Sequence, residues 1–302
     1  MKALITGWFS FEQMGNSAGD MIAKDLVAGW LSEAGIPYDI AMARSFPLPG
    51  SVDVNMVDSS LYTDLVFVCG PFGNGWPVTG LLEKFKHCRL HGVNISLLEP
   101  LEIWNPFTLL YERDSSRAAH PDITFYAPPP KVPVVGLILV HKQKEYGARA
   151  LHDDANAAID RLIKSREMAV VKIDTALENN EGGLRTQGEV ESLMAKMDVV
   201  ITTRLHGTVL SLKNGVPVVA VDPIKGGAKI TAQAKTFGWP LVFQTETLTD
   251  EMLGEAFDFC LTPEVKGLLS DCKTRAVQIV DGIREQFIKE FSLLSTSAVS
   301  YV

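Results

Sequence analysis

The feature that most constrains this chain is a series of short, nearly uninterrupted apolar runs set between longer amphipathic stretches. "KALIT" (2–6), "DLVFVCG" (64–70), "NISLLE" (94–99), "VVGLILV" (134–140), "AVVKID" (169–174), "DVVIT" (198–202) and "PVVAV" (217–221) each read as a strand. A strand exposed on one face alternates apolar and polar residues; these do not, so both faces are covered. Between them, 17–34, 147–165, 187–197, 205–214, 227–237, 248–259 and 264–292 carry helical patterning. Strand–helix alternation of this kind predicts parallel sheets with helices on both sides, an α/β class. No period of 20–50 residues is present.

"YAPPPKVP" (126–133) divides the series. Three consecutive prolines continue neither a helix nor a central strand. The expected organisation is two doubly wound Rossmann-like domains, 1–126 and 133–302, within the 302 residues. Such folds hold ligands outside the carboxyl ends of their strands, so an interdomain cleft is the expected site. The last helical segment is expected to cross back to the first domain.

Net charge is −8 with no basic face, so nucleic acid is not an expected partner. The four cysteines (Cys69, Cys88, Cys260, Cys272) form no CxxC pair and read as reduced thiols. "MKALITGWFS" lacks the h-region of a signal peptide, and no window suits a transmembrane segment. These readings point to a cytoplasmic location.

"TTRLHGTVLSLKNGVPVVAVD" (202–222) places Arg204 and His206 in a strand-to-helix turn. Thr203 is expected to cap the helix and Gly215 to end it. The helix N-terminus favours an anion, Arg204 offers a bidentate fork, and His206 exchanges protons near neutral pH. Gly207 is expected to let a ligand approach the backbone, with Leu205 turned inward to pack.

With its preceding strand, this segment resembles the hallmark of the polysaccharide pyruvyl transferase family. The resemblance implies a GT-B-like fold, with Arg204 and Leu205 binding donor and His206 acting as catalytic acid/base. It implies transfer from phosphoenolpyruvate to a saccharide acceptor, free or lipid-linked, as in exopolysaccharide synthesis. Neither a metal nor a redox cofactor is expected. The C-terminal domain would hold the donor and the N-terminal domain the acceptor.

Other segments agree in order. "NSAGD" resembles the family's N-terminal glycine loop with one extra residue, implicating Asn16 and Asp20. "CGPFGNGWP" offers Gly70, Gly73 and Gly75 for close approach and Trp76 for a sugar face. "YERDSSRAAHPD" matches a family stretch through Arg113, Asp114, Ser116 and Asp122. After "VVGLILV", relatives carry an arginine where this chain has His141, Lys142 and Lys144, so Lys142 becomes the expected phosphate contact. Lys225, after the strand that follows the Arg-Leu-His helix, is expected to face the same anion as Arg204. Two other readings remain: a GT-B glycosyltransferase using a nucleotide-sugar, and a non-catalytic ligand-binding relative.

Overall fold

The computed structural model describes residues 1–12, 14–129, 132–140, 144–178 and 180–298, with backbone only for residues 144 and 294–298. The chain divides into two compact units, Met1–Pro130 and Lys131–Val302, meeting inside the proline-rich stretch.

The first unit contains, in chain order, β1 (Ala3–Thr6), α1 (Ala18–Glu33), β2 (Tyr38–Ile40), β3 (Asp64–Val68), β4 (Pro71–Phe72), α2 (Val78–Lys84), β5 (Arg89–Val93), β6 (Ser96–Leu97) and β7 (Leu109–Tyr111). Five strands form a parallel sheet in the order β2-β1-β3-β5-β7, while β4 and β6 form a separate two-stranded one. Ala3, Ile5, Val66 and Val68 pack with Ala23, Val27 and Ala28 of α1. The alternate residues Leu4, Leu65, Phe67 and Leu90 pack with Val78 and Leu81 of α2. Successive side chains of a strand point to opposite faces, so unbroken apolar runs supply both cores.

Of the strand expected at 94–99 only the two-residue β6 forms, paired with β4 outside the main sheet. The chain pairs through Arg89–Val93 instead, and Asn94 turns into the left-handed region at φ 59°. "RLHGV" hides its strand character because its charges are neutralised from the adjacent strand. Asp64 accepts from Arg89 Nη2 at 2.9 Å and meets His91 Nε2 at 2.7 Å.

The second unit contains β8 (Val134–Ile138), α3 (His152–Ser165), β9 (Ala169–Lys172), α4 (Gln187–Met194), β10 (Val199–Thr202), α5 (Leu205–Lys213), β11 (Val218–Asp222), α6 (Lys229–Phe237), β12 (Val242–Gln244), α7 (Asp250–Cys260) and α8 (Val265–Ala298). Its parallel sheet runs β12-β11-β10-β8-β9. Ile138, Val200, Val218 and Ala220 face α4, α5, α6 and the start of α8. Val135, Val199, Ile201, Val219 and Val221 face α3 and α7. Each unit is thus a doubly wound, Rossmann-like α/β layer structure. The helix expected from 147 begins at His152, because Gly147 at φ 50° interrupts a preceding 3-10 turn.

In the second sheet the chain leaves β8 toward β9 on one side and later returns to β10 on the other. The carboxyl ends of β8 and β10 therefore flank a topological switch point, where the loops diverge and leave a crevice. No helix among the described residues is long and apolar enough to cross a membrane. All four cysteines are free thiols.

Candidate active site at the carboxyl edge of the second sheet

Beside that switch point lies a cavity of about 180 Å³ lined by Val140, Thr203–His206, Asp222–Ile224 and Ala228–Ile230. Three local arrangements shape it.

The first is the turn from β10 into α5. Thr202 Oγ1 donates to Ile138 O at 2.7 Å and accepts from Arg204 N at 3.0 Å, fixing the strand end before the helix begins. Arg204 is the N-cap, with extended backbone, and no side chain caps this helix. Thr203, expected as the cap, instead accepts from Val140 N at 2.9 Å and ties the β8 and β10 ends together. The first-turn amides of α5 thus lack a side-chain acceptor at the cavity, the arrangement that favours an anion. Gly207 does not serve ligand approach. A Cβ there would lie 2.2 Å from Thr202 Oγ1 and 3.0 Å from Ile138 Cγ2, so glycine is required for helix and sheet to close-pack. Leu205 is half-buried against the core while also lining the cavity, and His206 is exposed at its rim.

The second is the loop from β11 to α6. Asp222, at 1% exposure, accepts from Ala228 N (2.7 Å), Thr231 N (3.0 Å) and Thr231 Oγ1 (2.8 Å), with Ile224 N at 3.3 Å. Its carboxylate folds the loop back and aims the start of α6 at the cavity. Gly226 and Gly227 take the left-handed conformation that the reversal needs, at φ 76° and 75°. Ala228 offers α6 no cap of its own, and the Asp222 carboxylate takes that role through Thr231 N, so the α6 N-terminus beside the cavity is already engaged by a buried anion.

The third is the cation set. Arg204 Nη1 donates to Asp174 Oδ1 at 2.8 Å, with the two side chains 24% and 13% exposed. Asp174 follows β9 and also accepts from Ala176 N at 2.8 Å, which holds its carboxylate in place. The second cation at the cavity is Lys229, whose Nζ lies 5.9 Å from the Tyr146 ring centroid. Lys225, expected in this place, is exposed and does not line the cavity. Its backbone bonds Arg149 instead, N to Arg149 O at 2.8 Å and O from Arg149 Nη2 at 3.0 Å. Lys142 and His141 fall outside the described residues.

Of the expected donor-side residues, the structure therefore brings Arg204, Leu205 and His206 together. Asp174, Asp222 and Lys229 are the residues that sequence reasoning did not place. Two of them carried a signal: a carboxylate at the end of an apolar run, in "AVVKID" and "VVAVD", sits at the edge of the sheet where ligands bind.

In the first unit the expected acceptor-side residues follow the carboxyl ends of the strands but are engaged among themselves. Asp20 forms a capping box: its Oδ2 accepts from Ser17 N at 3.0 Å and Ser17 Oγ at 2.7 Å. Asn16 is exposed just before it. Arg113 donates to Asp122 Oδ2 at 3.0 Å, Ser96 Oγ at 2.6 Å and Asp114 Oδ2 at 3.4 Å. Ser116 turns away from this cluster, donating to Glu102 at 3.1 Å. Burial alone would raise the Asp122 carboxyl, but Thr124 N–H, Asn94 and Arg113 hold it below its usual range. Burial pushes the neighbouring Cys69 thiol up, and Asp20 and Asp122 add to that. A Cβ at Gly73 would meet Leu98 Cδ1 at 2.8 Å, the end of an exposed side chain that can turn aside. Trp76 is 79% exposed. No group of three or more His, Cys, Asp or Glu among the described residues converges to hold a metal ion.

The model of the polysaccharide pyruvyl transferase family matches residues 121–224, which run through β8, β9, β10 and β11 and include the Arg204–His206 turn. The resemblance to this transferase family is thus shown over that segment. No curated protein matches the sequence. Among solved structures, the glycotransferase of kitacinnamycin is 10% identical, covering 94% of this chain and 98% of its own at a TM-score of 0.31. The UDP-GlcNAc 2-epimerase of Methanocaldococcus jannaschii is 12% identical, with 93% and 99% covered and a TM-score of 0.31. Spinosyn rhamnosyltransferase SpnG is 10% identical, with 93% and 100% covered and a TM-score of 0.32. Scores this low say nothing about what the chain does.

Proposed function

We propose that the chain transfers a pyruvyl group from phosphoenolpyruvate onto saccharide hydroxyls, forming a ketal and releasing phosphate. The observation that carries this reading is the anion cavity. The α5 N-terminus, Arg204 and Lys229 border a space of about 180 Å³, with His206 at its rim and the Asp222 carboxylate turned to the start of α6. Such a space suits a small polyanion.

In this mechanism the donor's phosphate and carboxylate are held by Arg204, Lys229 and the α5 amides. A proton added to the methylene carbon makes C2 electrophilic. One sugar hydroxyl adds to C2 and loses its proton; the second forms the other C–O bond as phosphate leaves. In this reading His206 gives and takes these protons, a contribution of about 10²–10⁴-fold. Asp174 sets the orientation of Arg204 and keeps one face of its guanidinium for the donor. The acceptor would be a saccharide, free or lipid-linked, held by the first unit through the loops bearing Asn16, Gly73 and Trp76.

Thermal unfolding with added ligand tests the donor directly. Phosphoenolpyruvate should raise the melting temperature and UDP-sugars should not. A shift with a nucleotide-sugar alone would sink the reading. Phosphate release in an acceptor screen then tests turnover.

A further inference from the structure

The segment that leads into α3 is tied to the loop joining β11 to α6. Leu151 N donates to Pro223 O and Lys225 N to Arg149 O, each at 2.8 Å, and Ala150 bridges Ile224 between them. The Arg149 guanidinium adds a side-chain contact. It donates to Lys225 O at 3.0 Å through Nη2 and at 3.3 Å through Nε, and to Gly227 O at 3.4 Å. One side chain thus gathers two carbonyls from the crest of the loop.

The loop needs such a contact. Gly226 and Gly227 lie side by side in the left-handed region, and glycine has more conformational freedom to lose than any other residue. Gly227 has no substitute: besides its φ of 75°, a Cβ there would sit 2.9 Å from Thr231 Oγ1 and 3.0 Å from Gln244 Nε2. Asp222 anchors the end of the loop through Ala228 N and Thr231 N, and Glu246 accepts from Gly226 N at 2.5 Å. Arg149 holds the carbonyls of the same crest.

Lys229, the cavity's second cation, follows directly. It is exposed, and a long side chain that is free in water loses its rotamer freedom when it closes on an anion. The Tyr146 ring, on the same segment as Arg149, lies 5.9 Å from Lys229 Nζ, within reach of a cation–π contact. Neither Tyr146 nor Arg149 lines the cavity.

We propose that residues 146–149 form a strap that positions Lys229 for the phosphate of the donor. Arg149 fixes the crest from which Lys229 projects, and Tyr146 restrains its ammonium beside the cavity, so part of the ordering is in place before the anion arrives. Both are positioning residues. A lysine at 149 would keep the charge but lack the fork that spans two carbonyls. The inference rests on reading the cavity as an anion site and is independent of which phosphorylated donor fills it.

Calorimetric titration of the full chain with inorganic phosphate reads the strap without turnover. Arg149→Ala should weaken phosphate binding about three- to tenfold, within the range for coupled neighbours. Arg149→Lys should do the same, since charge alone does not close the clamp. Tyr146→Leu should cost about two- to fivefold, the scale of an exposed cation–π contact, and Tyr146→Phe should bind as wild type. In a Lys229→Ala background, Arg149→Ala should cause no further loss, because the strap acts through Lys229. Losses that multiply in that double variant, or wild-type affinity in Arg149→Lys, overturn the strap while leaving the anion site standing. If Arg149→Ala does not fold, the Tyr146 variants decide: equal losses in both, or a loss in neither, overturn it. A wild-type chain that binds no phosphate overturns the anion-site reading and the strap with it.

Discussion

Arg204 Nη1 and Asp174 Oδ1 lie 2.8 Å apart although they follow strands that do not touch. Arg204 leaves β10 and Asp174 follows β9, and β8 lies between those two strands in the sheet. The ion pair therefore spans the carboxyl end of β8 at the switch point. Asp174→Asn keeps the shape of the turn and its acceptor for Ala176 N but removes the charge. If the pair orients Arg204 for the donor, phosphoenolpyruvate KM should rise with kcat little changed. A hydrogen bond between charged groups, at about 1.5–3 kcal/mol, sets the scale at roughly tenfold or more. Steady-state phosphate release reads the split; a fall in kcat alone would contradict the role.

His206 and Arg204 should fail in different ways. His206 is exposed, so His206→Ala should leave the melting temperature nearly unchanged and donor binding intact while most turnover is lost. Arg204→Lys keeps a charge but not the planar fork, and should chiefly lose donor affinity. Calorimetric titration with phosphoenolpyruvate, set beside the rates, separates the two. Full activity in His206→Ala would remove His206 from the chemistry.

Lys229 rather than Lys225 should carry the second cation's role. Lys229 lines the cavity and Lys225 does not. Lys229→Ala should weaken donor binding by about 1–3 kcal/mol, the range for a charge-assisted contact. Lys225→Ala should change it by less than about 0.5 kcal/mol, as for a surface substitution away from the site. Equal effects from the two lysines would mean that the cavity extends past the β11–α6 loop.

Acid should unfold the first unit through two carboxylates. Arg117, with Ser115 helping, holds the Glu112 carboxyl at about 2, against an ordinary 4.5. Burial would raise Asp64, but Arg89, Thr63 and His91 hold it at about 2, against 3.8. Both pKa values are lower in the folded chain, so the stabilisation is complete above about pH 4.5 and is lost as pH falls toward 2. Melting temperatures measured across that window should drop steeply, and less steeply in Glu112→Gln. A flat profile would mean that neither pair matters to stability.

What the sequence determined by itself was the architecture and the central triplet. Runs such as "PVVAV" and "DVVIT" can satisfy two apolar faces only inside a parallel sheet, so two doubly wound units follow from local pattern. The same reasoning put Arg204 and His206 at a strand's carboxyl end beside a helix N-terminus, since that needs only the order of strand, turn and helix. Strand β5 escaped it because the polar residues of "RLHGV" become acceptable only when Asp64 stands on the next strand. Everything that depends on distance across the sheet was decided by tertiary structure. Thirty positions separate Asp174 from Arg204, and only the strand order makes them partners. Lys225 and Lys229 look equivalent in sequence. The buried Asp222 carboxylate, by gathering Ala228 N and Thr231 N, swings Lys229 into the cavity's wall, and Lys225 has no place there. Gly207, which reads as room for a ligand, is instead the contact that lets α5 lie against Thr202 and Ile138.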